Sequence, residues 1–248
     1  MAETGGRGWQ IPIEVETAGP PTPLPPSPWE FPLAESTPGD GPLAIGGDFE
    51  PATVIAAYRA GAFPWPHDSE EYLWFSPDPR AILPLDRFHV PRRLARTIRQ
   101  GRFRVSVDDA FDAVMGGCAS AHGESWITPA LKAGYTELHR LGWAHSFEVR
   151  DPAGRLAGGL YGVAVGRLFG AESMFHSVRD ASKVAVAAMV QHARALGVEL
   201  VDLQVINPHT ASIGALEIPR TRYLALARRA MADALDWSVL RSSGEAGN

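Results

Sequence analysis

Apolar positions along this chain recur with two periods, and each period predicts a set of elements. Helical spacing with matching start and stop residues predicts helices over 52–60, after Pro51 and before Gly61, and over 108–119. A third runs over 128–141, capped by Thr128-Pro129 and ended by Gly142. An alanine-rich helix over 180–196 stops at Gly197, and a last one runs from 220 to about 235 behind Pro219. Extended runs over 103–107, 145–150, 156–165 and 168–175, separated by turn residues at 151–154 and at Gly166, predict strands. The glycines of Gly158-Gly159-Leu160-Tyr161-Gly162 lie inside a strand, which implies a bulge or a close approach by a ligand.

The stretch 197–210 joins a helix-stopping glycine, an aliphatic run and a turn at Pro208, and so reads as a central strand buried on both faces. Side chains alternate across a strand, so Asp202 and Gln204 are expected on one face, with Val201, Leu203 and Val205 on the other. A carboxylate and an amide sharing a buried face are either a satisfied polar cluster or a catalytic pair on a rigid element.

Composition changes the picture mainly at the N-terminus. Residues 1–40 hold nine prolines and five glycines and are expected to form a disordered leader or a loose strap. The expected organisation is that leader, a small N-terminal domain over 41–80 with an aromatic, proline-stiffened loop, a catalytic domain over 81–240 and a tail over 241–248. The tryptophans of the loops, Trp65 and Trp74 before the first long helix and Trp126 at a later helix entrance, fit either a mini-core or a stacking platform for a base.

Net charge is −5, so any attraction to nucleic acid must be local. It is available between positions 87 and 104, where seven arginines occur without an acid. Pro91 and Gly101 frame a helix there, and Arg92, Arg96 and Arg99 fall along one of its faces, which is either a solvated stripe or a phosphate contact. Cys118 is the single cysteine, excluding an internal disulfide and a multi-cysteine metal site and suiting a reducing cytoplasm. No apolar run approaches the roughly 20 residues of a membrane span, and no spacing supports a metal.

A strand, two helices, three antiparallel strands, a helix and a strand give the order of the Gcn5-related acyltransferase fold. The fold class is therefore α/β (α+β), a small N-terminal domain followed by a Gcn5-related acyltransferase-like domain. Acyl-CoA enzymes of that fold seat a pyrophosphate on glycine-rich amides at a helix entrance. The corresponding Val178-Arg179-Asp180-Ala181-Ser182-Lys183 has no glycine, which argues against CoA.

The motifs Gly46-Gly47-Asp48, Phe63-Pro64-Trp65, Trp74-Phe75-Ser76-Pro77-Asp78-Pro79-Arg80, Trp126-Ile127-Thr128, Glu172-Ser173-Met174-Phe175, Ala181-Ser182-Lys183 and Asp202-Leu203-Gln204-Val205 resemble those of the bacterial leucyl/phenylalanyl-tRNA–protein transferases. The resemblance covers about 41–237. It implies transfer of Leu or Phe from aminoacyl-tRNA to the α-amine of proteins beginning with Arg or Lys, which marks them for degradation, by a cytoplasmic monomer without cofactor or metal. It further implies that Gln204 accepts a hydrogen bond from the attacking amine while Asp202 orients or polarises it, and that Glu172 faces the acceptor's cation. Trp65 and Trp126 resemble platforms for the terminal adenosine, Met174 and Phe175 part of the aminoacyl pocket, and Arg92, Arg96 and Arg99 a tRNA-backbone contact. A non-catalytic tRNA-binding protein would account for the arginines and tryptophans but leaves Glu172, Asp202 and Gln204 without a role.

Overall fold

The structure, a computed structural model, describes residues 9–15, 19–65, 71–121 and 127–237. The described part of its leader does not lie free. Residues 9–15 and 19–40 form a strap across the molecule that opens with strand β1 (Ile13–Val15). The Ile11 amide donates to Gln191 Oε1 at 2.9 Å and its carbonyl accepts from Gln191 Nε2 at 2.7 Å. Further along, the Trp143 indole donates to the Thr22 carbonyl, and the Phe31 ring meets Trp74 edge-on at 5.2 Å. Prolines restrict the unfolded strap, so docking it loses less entropy, and widely spaced apolar residues suffice to hold it. Composition alone does not reveal those anchors.

After the strap come β2 (Pro42–Ile45), helix α1 (Pro51–Arg59), β3 (Phe63–Pro64) and β4 (Leu73–Phe75). The three strands form a small antiparallel sheet in the order β2-β4-β3, with Trp74 buried beneath it. Strands this short show no measurable period, which is why the sequence reads here as loop. Then β5 (Arg80–Ile82) joins the main sheet, followed by α2 (Arg92–Arg99), β6 (Arg104–Val107), α3 (Phe111–Ala121) and α4 (Pro129–Arg140). At the entrance of α4 the Thr128 hydroxyl accepts the Leu131 amide, as the Thr-Pro pair predicts.

An antiparallel meander follows, β7 (Ala144–Arg150), β8 (Leu156–Val165) and β9 (Leu168–His176), then α5 (Ala181–Leu196) and β10 (Leu200–Gln204). Short elements α6 (Pro208–Ser212) and β11 (Leu216–Ile218) lead to α7 (Arg220–Ala230). The main sheet has eight strands in the order β1-β6-β7-β8-β9-β10-β5-β11. Apolar side chains of α1, α3, α4 and α7 cover one face, and those of α2 and α5 cover the other. The bulge expected among the glycines of β8 is present, since Ala157 is skipped in the register against β7, and the glycines are also closely packed: a Cβ on Gly158 would meet Ala181, and one on Gly159 would meet Val114. Among the described residues no helix is long and apolar enough to cross a membrane.

Candidate active site

β9 and β10 pair in parallel only from Leu168↔Leu200 to Gly170↔Asp202. Beyond that point the two strands separate, and the gap opens into a cleft of about 800 Å³. Each strand carries an irregularity at the opening. On β9 the register against β8 shifts between Ser173 and Ala171, leaving Glu172 as the extra residue of a bulge. On β10 the register against β5 slips so that Leu203 is unpaired, and Gln204 adopts φ +64. Both Glu172 and Gln204 thereby line the cleft.

These irregularities break the simple alternation expected of 202 and 204. Asp202 is fully buried and does not line the cleft; it turns instead to Arg80. Arg80 Nε donates to Oδ1 at 2.9 Å and its terminal nitrogen to Oδ2 at 2.6 Å. The Tyr223 hydroxyl donates to Oδ2 at 2.8 Å, and the Gln204 backbone amide to Oδ1 at 2.8 Å. Arg80, equally buried, has its guanidinium 4.5 Å from the Phe63 ring centre and 4.4 Å from that of Tyr223. The carboxylate thus engages four donors, and its tie to Gln204 is through the backbone, holding a left-handed conformation that a glutamine otherwise avoids.

Glu172 is the opposite case. Both carboxyl oxygens are enclosed, yet neither has a hydrogen-bond partner of regular geometry, and Gln204 Nε2 is in the same condition. Burial raises the Glu172 pKa to about 8; the Gln204 amide pulls it down and the Asp202 charge pushes it up, both to a smaller extent. A carboxyl with this pKa is mostly protonated at neutral pH and becomes an anion when a cation arrives. It also costs the free protein stability. The native state keeps the proton that the unfolded chain releases above its reference pKa of 4.5, so stability falls as pH rises from 4.5 toward 8. Glu172→Gln should therefore raise the Tm of the free protein by an amount that vanishes as pH falls to 4.5 and is largest above 8. A Tm difference independent of pH would contradict this.

The remaining walls fall into regions of different chemistry. Trp65 lines the cleft beside Pro64 with 39% of its surface exposed, its inner edge resting on Phe63 and Phe75 at 5.7 and 6.2 Å. Leu160, Met174, Val186 and Met189 make an apolar region on the α5 face of the sheet, and Phe175, on the α3 face, lines the cleft from the other side. His176, Lys183 and His209 line the cleft as well, and the charges of Lys183 and His176 reinforce burial in lowering the His209 pKa. Among the described residues no group of three or more His, Cys, Asp or Glu side chains is arranged to hold a metal.

Arg92, Arg96 and Arg99 are exposed on α2 and do not line the cleft, while Leu94 and Thr97 on the same helix are buried. Trp126 lies outside the described residues. Sequence reasoning overlooked Arg80 and Tyr223. One signal was available for the former: a lone cation opening the apolar run Arg80-Ala81-Ile82-Leu83 requires a buried partner.

An antiparallel meander, a helix and a final strand that diverges from the meander to open a cleft define a mixed α/β domain with its site at the parting of two strands. The chain belongs to the leucyl/phenylalanyl-tRNA protein transferase family. The family model matches residues 82–228, and that of its N-terminal domain matches 47–78. A leucyl/phenylalanyl-tRNA–protein transferase of Edwardsiella ictaluri is 48% identical over 197 residues, covering 78% of this chain and 81% of the relative. That of Anaeromyxobacter dehalogenans is 49% identical over 196 residues, covering 77% and 84%. Among solved structures, the GCN5-related glucosamine N-acetyltransferase region of a fungal multi-domain β-N-acetylglucosaminidase aligns with a TM-score of 0.42 at 12% identity, covering 71% of this chain and 23% of that one.

Proposed function

We infer that the cleft between β9 and β10 transfers Leu or Phe from an aminoacyl-tRNA to the α-amine of a protein that begins with Arg or Lys, marking that protein for degradation. The amine attacks the ester carbonyl; a C–N bond forms, the C–O bond to the ribose breaks, and a proton passes from the amine to the departing ribose oxygen. The ester is already activated and an α-amine, with a pKa near ~8, is partly neutral in the cell, so alignment can supply much of the rate.

Within this reading Gln204 accepts a hydrogen bond from the amine through its side-chain carbonyl. Asp202 acts on the Gln204 backbone, through the amide it accepts, and not as a base. Glu172 meets the guanidinium or ammonium of the acceptor, Trp65 with Trp126 stacks on the terminal adenosine, and Met174 with Phe175 encloses the Leu or Phe side chain.

The observation that carries the reading is Glu172, an enclosed carboxyl without a hydrogen bond of regular geometry, facing the Gln204 amide in a cleft that also has an apolar wall and an exposed indole. The direct test supplies labelled Leu-tRNA and matched peptides beginning with Arg, Lys or Ala. Label on the Arg and Lys peptides alone is the expected result, and label on all three or none overturns it.

The arginine stripe of α2 serves the tRNA body in this scheme. Arg92→Ala, Arg96→Ala and Arg99→Ala together are expected to weaken aminoacyl-tRNA binding and to flatten its salt dependence by up to about one unit of slope per lost phosphate contact. Binding of an aminoacyl-adenosine analogue, which lacks the tRNA body, should hardly change. Equal loss with both donors would instead assign the stripe to the fold or the site.

A further inference from the structure

We propose that Gly117 sets the depth of the aminoacyl pocket by fixing where the Phe175 ring lies, and thereby sets the balance between phenylalanyl and leucyl donors. The proposal rests on reading the apolar wall of the cleft as the aminoacyl pocket.

Helix α3 carries two adjacent glycines in its interior, where glycine is the least favourable residue after proline. Their surroundings differ. A Cβ on Gly116 would meet nothing within 4 Å, whereas one on Gly117 would run into Cζ, Cε1 and Cε2 of Phe175. Only the second glycine has a packing reason.

Phe175, in turn, is 9% exposed and lines the cleft, and the far end of its ring lies against α3 at Gly117. The neighbouring residues of α3 confirm that this helix backs β9: buried Cys118 lies beside Ser173, and Ala121 also lines the cleft. The space behind the ring therefore exists because Gly117 lacks a methyl group. Protein interiors are close-packed, so a methyl added there must displace the ring, and the open direction is the cleft. A pocket shortened in this way loses the larger, flat phenylalanyl side chain before the leucyl one. Discrimination of this kind is worth roughly 10- to 200-fold per methylene-sized change.

The test compares Gly117→Ala, Gly116→Ala and Gly117→Ala/Phe175→Leu in the full chain, measuring kcat/KM with Phe-tRNA and Leu-tRNA together with Tm. Gly117→Ala is expected to lower the Phe:Leu ratio by on the order of 10-fold. Gly116→Ala should leave the ratio unchanged at equal or higher Tm. Adding Phe175→Leu should restore the ratio at least to its original value.

Equal loss with both donors, a shifted ratio in Gly116→Ala or no restoration in the double variant overturns the proposal. Should Gly117→Ala fail to fold, Phe175→Leu alone decides, since it must raise the Phe:Leu ratio, and an unchanged ratio overturns the assignment. Wild-type enzyme that labels no peptide from either tRNA refutes the function itself. An active wild type whose Gly117→Ala variant keeps its donor preference refutes only this inference.

Discussion

Arg80→Met is expected to destabilise the protein by about 3–5 kcal/mol and to abolish turnover in the fraction that stays folded. The size of the first effect follows from burial. Both Arg80 and Asp202 are inaccessible to solvent, and removing one partner leaves an uncompensated charge in the interior. The second effect follows from the Gln204 amide, whose acceptor is the carboxylate that Arg80 holds.

The two consequences separate in a double variant. Arg80→Met/Asp202→Leu removes both charges and should recover much of the stability, since buried ion pairs are often replaceable by apolar groups of similar size. It leaves Gln204 without its backbone anchor, so turnover should stay low. Denaturant unfolding and single-turnover transfer on the same samples measure both, and wild-type turnover in the double variant would refute the anchoring role.

Trp65→Ala should cost about 1–3 kcal/mol in donor binding, or roughly one to two orders of magnitude, with little change in Tm. The reason for expecting little destabilisation is that the indole is already more than a third exposed. Trp74, nine residues further on and 1% exposed, supplies the contrast. Trp74→Ala should cost about 3–5 kcal/mol of folding stability through the cavity it leaves. Trp65→Phe retains a smaller aromatic face and should recover part of the affinity. Isothermal titration with an aminoacyl-adenosine analogue, alongside thermal melts, distinguishes the two tryptophans. A large fall in Tm for Trp65→Ala with unchanged affinity would return that residue to the core.

The sequence by itself determined what depends on neighbours a few positions away. The meander β7–β9, the alanine-rich α5 with its terminal Gly197 and the Thr-Pro entry to α4 each carry their signal within one element, because side-chain period and capping chemistry are local. Family membership was legible for a related reason: its motifs are short and their order is preserved along the chain. Alternation even brought Asp202 and Gln204 to attention, but it assumed an unbroken strand. The bulge at Leu203 and the left-handed Gln204 came from the register against β5, which no local period reports.

What only the tertiary structure decided involves partners that the chain separates widely. Arg80 lies 122 positions before the carboxylate it binds, and Tyr223 lies 21 beyond it. The described part of the leader, low in complexity by composition, is held by isolated anchors such as the two hydrogen bonds between Gln191 and Ile11, 180 positions apart. The pattern of apolar residues says which face of an element is covered, not by what. That Asp202 faces an arginine, that Glu172 is paired with no cation among the described residues, and that Gly117 faces the Phe175 ring were fixed when the two faces of one sheet acquired their helices and β9 parted from β10.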